Sequence, residues 1–218
     1  MSTLAEDLLI LSLPDYRGKS PGTALNMNFA LAAAVIIELM TLGRLGTDEL
    51  KRLKTLRTES TGDEVLDSVM REVAESAPPR HSREWIVRLS AGTVDLRKRF
   101  LARMRDRGTV QHQRRRVLGL FPYERYYMLD PTPATRLRGR LREVLVHDRR
   151  SDPREVVLIS LLYSTGLLGG QLPKSERNRA RKRAAEISTS ESVAKAVAEL
   201  GAADAAVSAL ITTRPETD

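Results

Sequence analysis

The 218 residues contain no cysteine, which excludes disulfide bridges, thiol nucleophiles and cysteine-bound metal. Aromatic residues make up only 4% of the chain, a scarcity that favours helices over sheets and leaves little to stack on nucleic-acid bases. Long hydrophobic runs are also missing. The longest unbroken one covers residues 29–37, well short of the roughly 20 residues a membrane-spanning helix needs. Histidine occurs three times, as His81, His112 and His147. These lie far apart, none in a metal-ligand spacing, and no nucleophile motif accompanies them, so neither an enzyme, a metal site nor a cofactor is expected. The tripeptide Gly18-Lys19-Ser20 is not a phosphate loop, because that loop requires glycine where this chain has Leu13. Glu6 and Asp7 precede the first apolar run, which speaks against a secretory or basic targeting peptide. A cytoplasmic protein is the expectation.

What is present is leucine, alanine and arginine in helical patterns. Residues 29–37 contain nothing polar and are good helix formers throughout. They predict a helix hydrophobic on nearly every side, ended by Gly43 as a left-handed cap. Such a helix must be wrapped by others. The wrapping is offered by leucines at 4–13, by Val65, Leu66, Val69 and Val73, by Trp85 with Ile86 and Leu89, and by Leu137, Leu141, Val144 and Leu145. Asp152-Pro153 opens a further apolar helix over 156–168, ended by Gly169-Gly170. Helices at 177–187, 191–200 and 202–211 close the chain, and 44–58 reads as a short hairpin or extended segment. The fold class is therefore mainly α: one compact domain over 1–211, a central hydrophobic helix surrounded by amphipathic ones, one or two short β-hairpins, and a loose tail at 212–218.

Charge of one sign is scarce in one region. Between Arg97 and Arg150 there are 16 Lys and Arg against 5 Asp and Glu, a surplus of +11 in a chain of net charge +8. Within it, Leu96, Phe100 and Met104 give a helix a buried stripe, while Arg99, Arg103 and Arg107 repeat at the same spacing beside Arg97, Lys98 and Arg105. That predicts an almost wholly basic free face, although like charges four residues apart repel. After Gly108, Arg114-Arg115-Arg116 leads into the apolar Val117-Leu118-Gly119-Leu120-Phe121. Pro122-Tyr123-Glu124-Arg125 then reads as the turn before a second arm at 126–129. The first arm does not alternate, so one of its faces is left to meet water, a partner or a membrane unless the hairpin is buried on both sides.

These features together resemble the Golgi phosphoprotein 3 family, and its bacterial members in particular. The resemblance covers nearly the whole chain. It rests on Leu4-Ala5-Glu6-Asp7-Leu8-Leu9, on Ile37-Glu38-Leu39 followed by Gly43-Arg44-Leu45, on Arg107-Gly108 before Val117-Leu118-Gly119-Leu120-Phe121, and on Asp152-Pro153-Arg154. It implies a helical domain that binds membranes peripherally through phosphatidylinositol 4-phosphate, using a pocket of one tryptophan and several arginines beside an inserting hydrophobic hairpin. By resemblance the hairpin falls on Val117, Leu118, Leu120 and Phe121, and one pocket arginine on Arg97. The tryptophan position reads Thr23, and two further arginine positions read Ala32 and Val94.

The function expected is peripheral binding of anionic lipid headgroups on the cytoplasmic face of a membrane. Arg97, Arg99, Arg114, Arg115 and Arg116 would hold phosphate, and Val117, Leu118, Leu120 and Phe121 would insert. The alternative is a nucleic-acid binder that uses the basic region 97–150. A third reading gives the hairpin's exposed face to self-association, and a fourth makes the basic face merely a solvated one.

Overall fold

In a computed structural model, which describes residues 2–13, 24–92, 95–117 and 121–200, the chain opens with a capping box. The Thr3 hydroxyl accepts from the Glu6 amide, the Glu6 carboxylate accepts from the Thr3 amide, and helix α1 runs Leu4–Ser12. The apolar run becomes helix α2, Ala24–Thr41. Its residues 30–37 are at most 2% exposed, so no face of that stretch meets water. At its end the Gly43 amide bonds to the Met40 carbonyl and the Arg44 amide to that of Leu39. Gly43 has φ +64° with open space around its missing Cβ, so backbone conformation and not crowding is what requires glycine there.

The wrapping helices follow in order. Strands β1 (Leu45–Thr47) and β2 (Leu53–Thr55) form the small antiparallel hairpin expected over 44–58. Helix α3 (Glu64–Ala74) buries Val65, Leu66, Val69 and Val73, and α4 (Ser82–Ser90) buries Trp85, Ile86 and Leu89. Helix α5 (Leu96–Asp106) buries Leu96, Phe100 and Met104, as the stripe predicts. All three pack on α2, as does α1. After the second hairpin come α6 (Thr132–Leu145), α7 (Pro153–Ser164), short 3-10 turns at Leu168–Gln171 and Lys174–Glu176, α8 (Arg177–Ile187) and α9 (Ser190–Glu199). Helix α7 stops four residues earlier than expected, because Gly166 at φ +72° turns the chain before Leu168. The helix expected at 202–211 and the tail at 212–218 lie outside the described residues.

The second hairpin departs from expectation. Strands β3 (Val110–Val117) and β4 (Phe121–Met128) pair antiparallel from Val110 opposite Met128 to Val117 opposite Phe121. The reversal therefore lies between Val117 and Phe121, and residues 122–125 are strand, not turn. Pro122 is tolerated because each strand of a two-stranded sheet is an edge, with one side free of ladder bonds. Gly119 sits between the two arms.

Charge fixes the helices to one another. Glu38, the only charged residue of α2, accepts the Leu4 amide at 2.8 Å and lies 3.6 Å from Arg154 of α7. Arg154 also reaches Asp7 at 3.1 Å and the Ser2 carbonyl at 2.7 Å. The expected free basic face of α5 is overturned. Arg103 bonds Glu6 of α1 at 2.9 Å and pairs with Asp63 at the start of α3, Arg107 bonds Glu6 at 3.1 Å, and Arg99 donates to Ser68 of α3. Acids distant in sequence thus neutralise the row that local repulsion disfavours. Replacing one partner of a buried pair leaves the other uncompensated. Arg103→Ala is therefore expected to lower unfolding stability by about 3 kcal/mol or more in urea melts, whereas a loss within 0.5 kcal/mol would show the pair to be idle.

Glu155 ties α6 to α7 in the same way. It is 4% exposed and accepts from Arg140 at 2.9 Å and Arg149 at 2.6 Å. Burial by itself would raise its pKa. The hydrogen bonds from Arg149, the local backbone and Arg140 together outweigh burial and hold the carboxyl below its ordinary value. A carboxylate with a depressed folded pKa contributes stability above its unfolded pKa and loses it as pH falls through the folded one. Thermal melts should therefore fall steeply from about pH 4.5 downward. Glu155→Gln should lower the neutral-pH melting temperature and flatten that acid limb; a parallel limb in the variant would remove Glu155 as its cause.

Candidate functional site

Among the described residues, the contacts that anchor the β3–β4 hairpin lie at its base. Val110 and Met128 are buried, and α5 is the helix that packs closely on β3. Beyond them His112 stacks on Tyr126 with ring centroids 4.6 Å apart, and the Tyr127 hydroxyl donates to Gln111 at 2.7 Å. Burial is already partial at these pairs. Seven strand steps of about 3.4 Å carry the pairing roughly 24 Å from its buried base to Val117 and Phe121. The structure brings these two expected insertion residues together as cross-strand partners. Leu118 and Leu120 lie outside the described residues.

The expected headgroup arginines separate into two groups. Arg114, Arg115 and Arg116 are the last strand positions before Val117, opposite Glu124, Tyr123 and Pro122. Successive strand positions face opposite sides, so positions 114 and 116 share one face of the hairpin and 115 the other. Arg97 lies in the first turn of α5, half-buried, with no salt bridge among the described residues. Arg99 is turned onto Ser68 at 2.5 Å. No described contact links Arg97 or Arg99 to the hairpin arginines.

Much of the basic region is neutralised within the fold. Arg140 pairs with Asp152 and Glu155, Arg142 with Glu176 and Arg149 with Glu155, while Arg138 bonds the Leu11 carbonyl and Gln171. Within residues 97–150, Arg97, Lys98, Arg99, Arg136 and Arg150 have no salt bridge among the described residues, and Arg99 is instead hydrogen-bonded to Ser68. The acids Glu6, Asp63 and Glu176 escaped sequence reasoning as partners because their arginines are tens of residues away. Of these three, Glu6 gave a signal, as one of two acids in the first turn of a leucine-rich helix.

The positions the resemblance assigns to a headgroup pocket carry other chemistry. Ala32 is fully buried in α2. Thr23 and Val94 lie outside the described residues. The cleft nearest in sequence to Val94 and Arg97 measures about 150 Å³ and is lined by Asn28, Leu89, Gly92, Asp95 and Leu96. Asp95 caps α5 by accepting the Lys98 amide at 3.0 Å. A carboxylate and an amide there offer a phosphate no cationic grip. Among the described residues no helix is long and apolar enough to cross a membrane, and no group of three metal-binding side chains assembles.

Because Arg97 has no salt bridge among the described residues and Arg103 is held by two acids, their neutralisation should differ in its effect on stability. Arg97→Gln is expected to leave the melting temperature within about 1 °C; a fall as large as that of Arg103→Ala would show Arg97 to be held within the fold. Residues 4–203 match the sequence profile of the family described as Golgi phosphoprotein 3 (GPP34).

Proposed function

The chain belongs to the Golgi phosphoprotein 3 family, and from that premise we propose that it attaches reversibly to anionic membranes by inserting the tip of the β3–β4 hairpin. The observation that carries the reading is the register. It puts the reversal within Val117, Leu118, Gly119, Leu120 and Phe121, with three arginines immediately behind. Because those arginines alternate between faces, neither flat side of the hairpin gathers all of them. An end-on approach does, since each is then near the headgroup plane while the apolar tip enters the acyl region.

The magnitudes suit two weak signals acting together. Burying Leu118, Leu120 and Phe121 contributes at most about 1.5 to 3 kcal/mol each. Each arginine at an anionic surface adds roughly 1 kcal/mol. Neither set alone holds a protein stably on a bilayer, and both together give a reversible anchor. The role is one of binding and not of catalysis, on the cytoplasmic face of the membrane. Phosphatidylinositol 4-phosphate is the lipid suggested by resemblance. The buried Ala32 and the carboxylate at Asp95 favour recognition of anionic charge over that particular headgroup.

Substituting Leu118, Leu120 and Phe121 together with aspartate should abolish sedimentation with vesicles containing phosphatidylglycerol or phosphatidylinositol 4-phosphate, with the melting temperature retained. Undiminished sedimentation would exclude insertion. Steeply salt-dependent binding of duplex DNA without vesicle binding would replace the reading by a nucleic-acid one. Light scattering on the same variant tests self-association through the tip, which predicts a smaller particle once the aspartates are present.

A further inference from the structure

A second concave site lies between the end of α7 and the start of α8. It measures about 370 Å³, within the range of small-molecule pockets. Tyr163, Leu168 and Leu172 supply its apolar walls, and Arg177, Asn178 and Arg181 its polar side. Arg177 and Arg181 are four residues apart and so lie on one face of α8, where like charges repel. The other arginines of that helix are neutralised: Arg179 and Arg183 face Asp148, and Arg183 also bonds Glu186. Glu176, next to Arg177, is taken by Arg142.

No carboxylate lines the cavity among the described residues. Arg177 Nε donates to the Leu172 carbonyl at 3.3 Å, which leaves its terminal nitrogens available. Two guanidinium groups without salt bridges among the described residues, an amide and an apolar wall together complement a dianionic oxyanion that carries an apolar body.

We propose that this cavity binds a phosphate monoester of a small apolar group, with the phosphate held between Arg177 and Arg181 and the apolar body against Leu168 and Leu172. The inference does not rest on the hairpin. It has a built-in control in Gly169, which lines the cavity and whose missing Cβ would meet nothing within 4 Å. A leucine there adds bulk at the cavity wall without displacing backbone.

The probe is phenyl phosphate, titrated calorimetrically into the full chain. Saturable one-to-one binding is expected, with inorganic phosphate at least tenfold weaker because it lacks the apolar body. Gly169→Leu and the pair Arg177→Gln with Arg181→Gln should each weaken phenyl phosphate at least tenfold, with unchanged melting temperature for the former. The hairpin aspartate variant should bind it like the wild type, which separates failure here from failure of membrane insertion. Absence of saturable binding, equal affinity for inorganic phosphate, or undiminished binding by both variants would overturn the assignment. Sedimentation with vesicles containing phosphatidic acid identifies the source of the phosphate. Loss in Gly169→Leu points to a lipid headgroup, and retention to a soluble ester.

Discussion

A helix without a polar face sets the terms for everything around it. Residues 30–37 of α2 would expose apolar surface in any direction left open, and each aliphatic side chain so exposed costs about 1.5 to 3 kcal/mol. The chain answers by packing α1, α3, α4, α5 and α7 around it. Each of these needs only one apolar stripe, so their remaining faces are free to be charged. The abundance of arginine is a consequence of that arrangement before it is a statement about function.

Arginine on neighbouring covering helices raises an electrostatic difficulty that the fold resolves internally. Glu6 serves Arg103 and Arg107, Glu155 serves Arg140 and Arg149, and Glu38 with Asp7 serves Arg154. In each case a carboxylate with little exposure ties together segments that local sequence does not hold in place, α1 to α5 through Glu6, α6 to α7 through Glu155, and α1 and α2 to α7 through Asp7 and Glu38. Such pairs give little net stability over an apolar replacement, yet they penalise any packing that would strand one partner. They select one arrangement of similar-looking leucine-rich helices.

How much of this was legible follows from the range of each interaction. The central helix, its glycine cap, and the stripes of α3, α4 and α5 are written in local periodicity, and each folds where that periodicity places it. The hairpin's existence is legible as well, but turn-forming residue types place its turn at Pro122-Tyr123-Glu124-Arg125. Turn-forming residue types outweighed a register that the whole length of the pairing decides. The basic face of α5 was misread for a related reason. Arg99, Arg103 and Arg107 announce themselves at helical spacing, whereas Glu6 and Asp63 lie far upstream and become their partners only after packing. The cavity beside α8 has a faint signal in the glycine-rich segment at 166–170 followed by arginines four residues apart, and closes only once α7 and α8 meet.

Internal neutralisation also decides where an anionic partner can be felt. A uniformly basic region 97–150 would attract a charged surface from many directions and orient the protein poorly on it. With Arg103, Arg107, Arg140, Arg142 and Arg149 paired, the long-range field in that region depends on fewer charges. The strand positions of Arg114, Arg115 and Arg116 come just before Val117, the pairing of which with Phe121 lies roughly 24 Å from the hairpin's base. An isolated two-stranded hairpin is marginal in water, and among the described residues this one is held at its base by Val110, Met128 and α5. A partner that takes up the far end therefore contributes order as well as contact. On the proposed reading an acidic bilayer does both, because it matches the arginines in charge and the apolar residues 117–121 in polarity at adjoining depths.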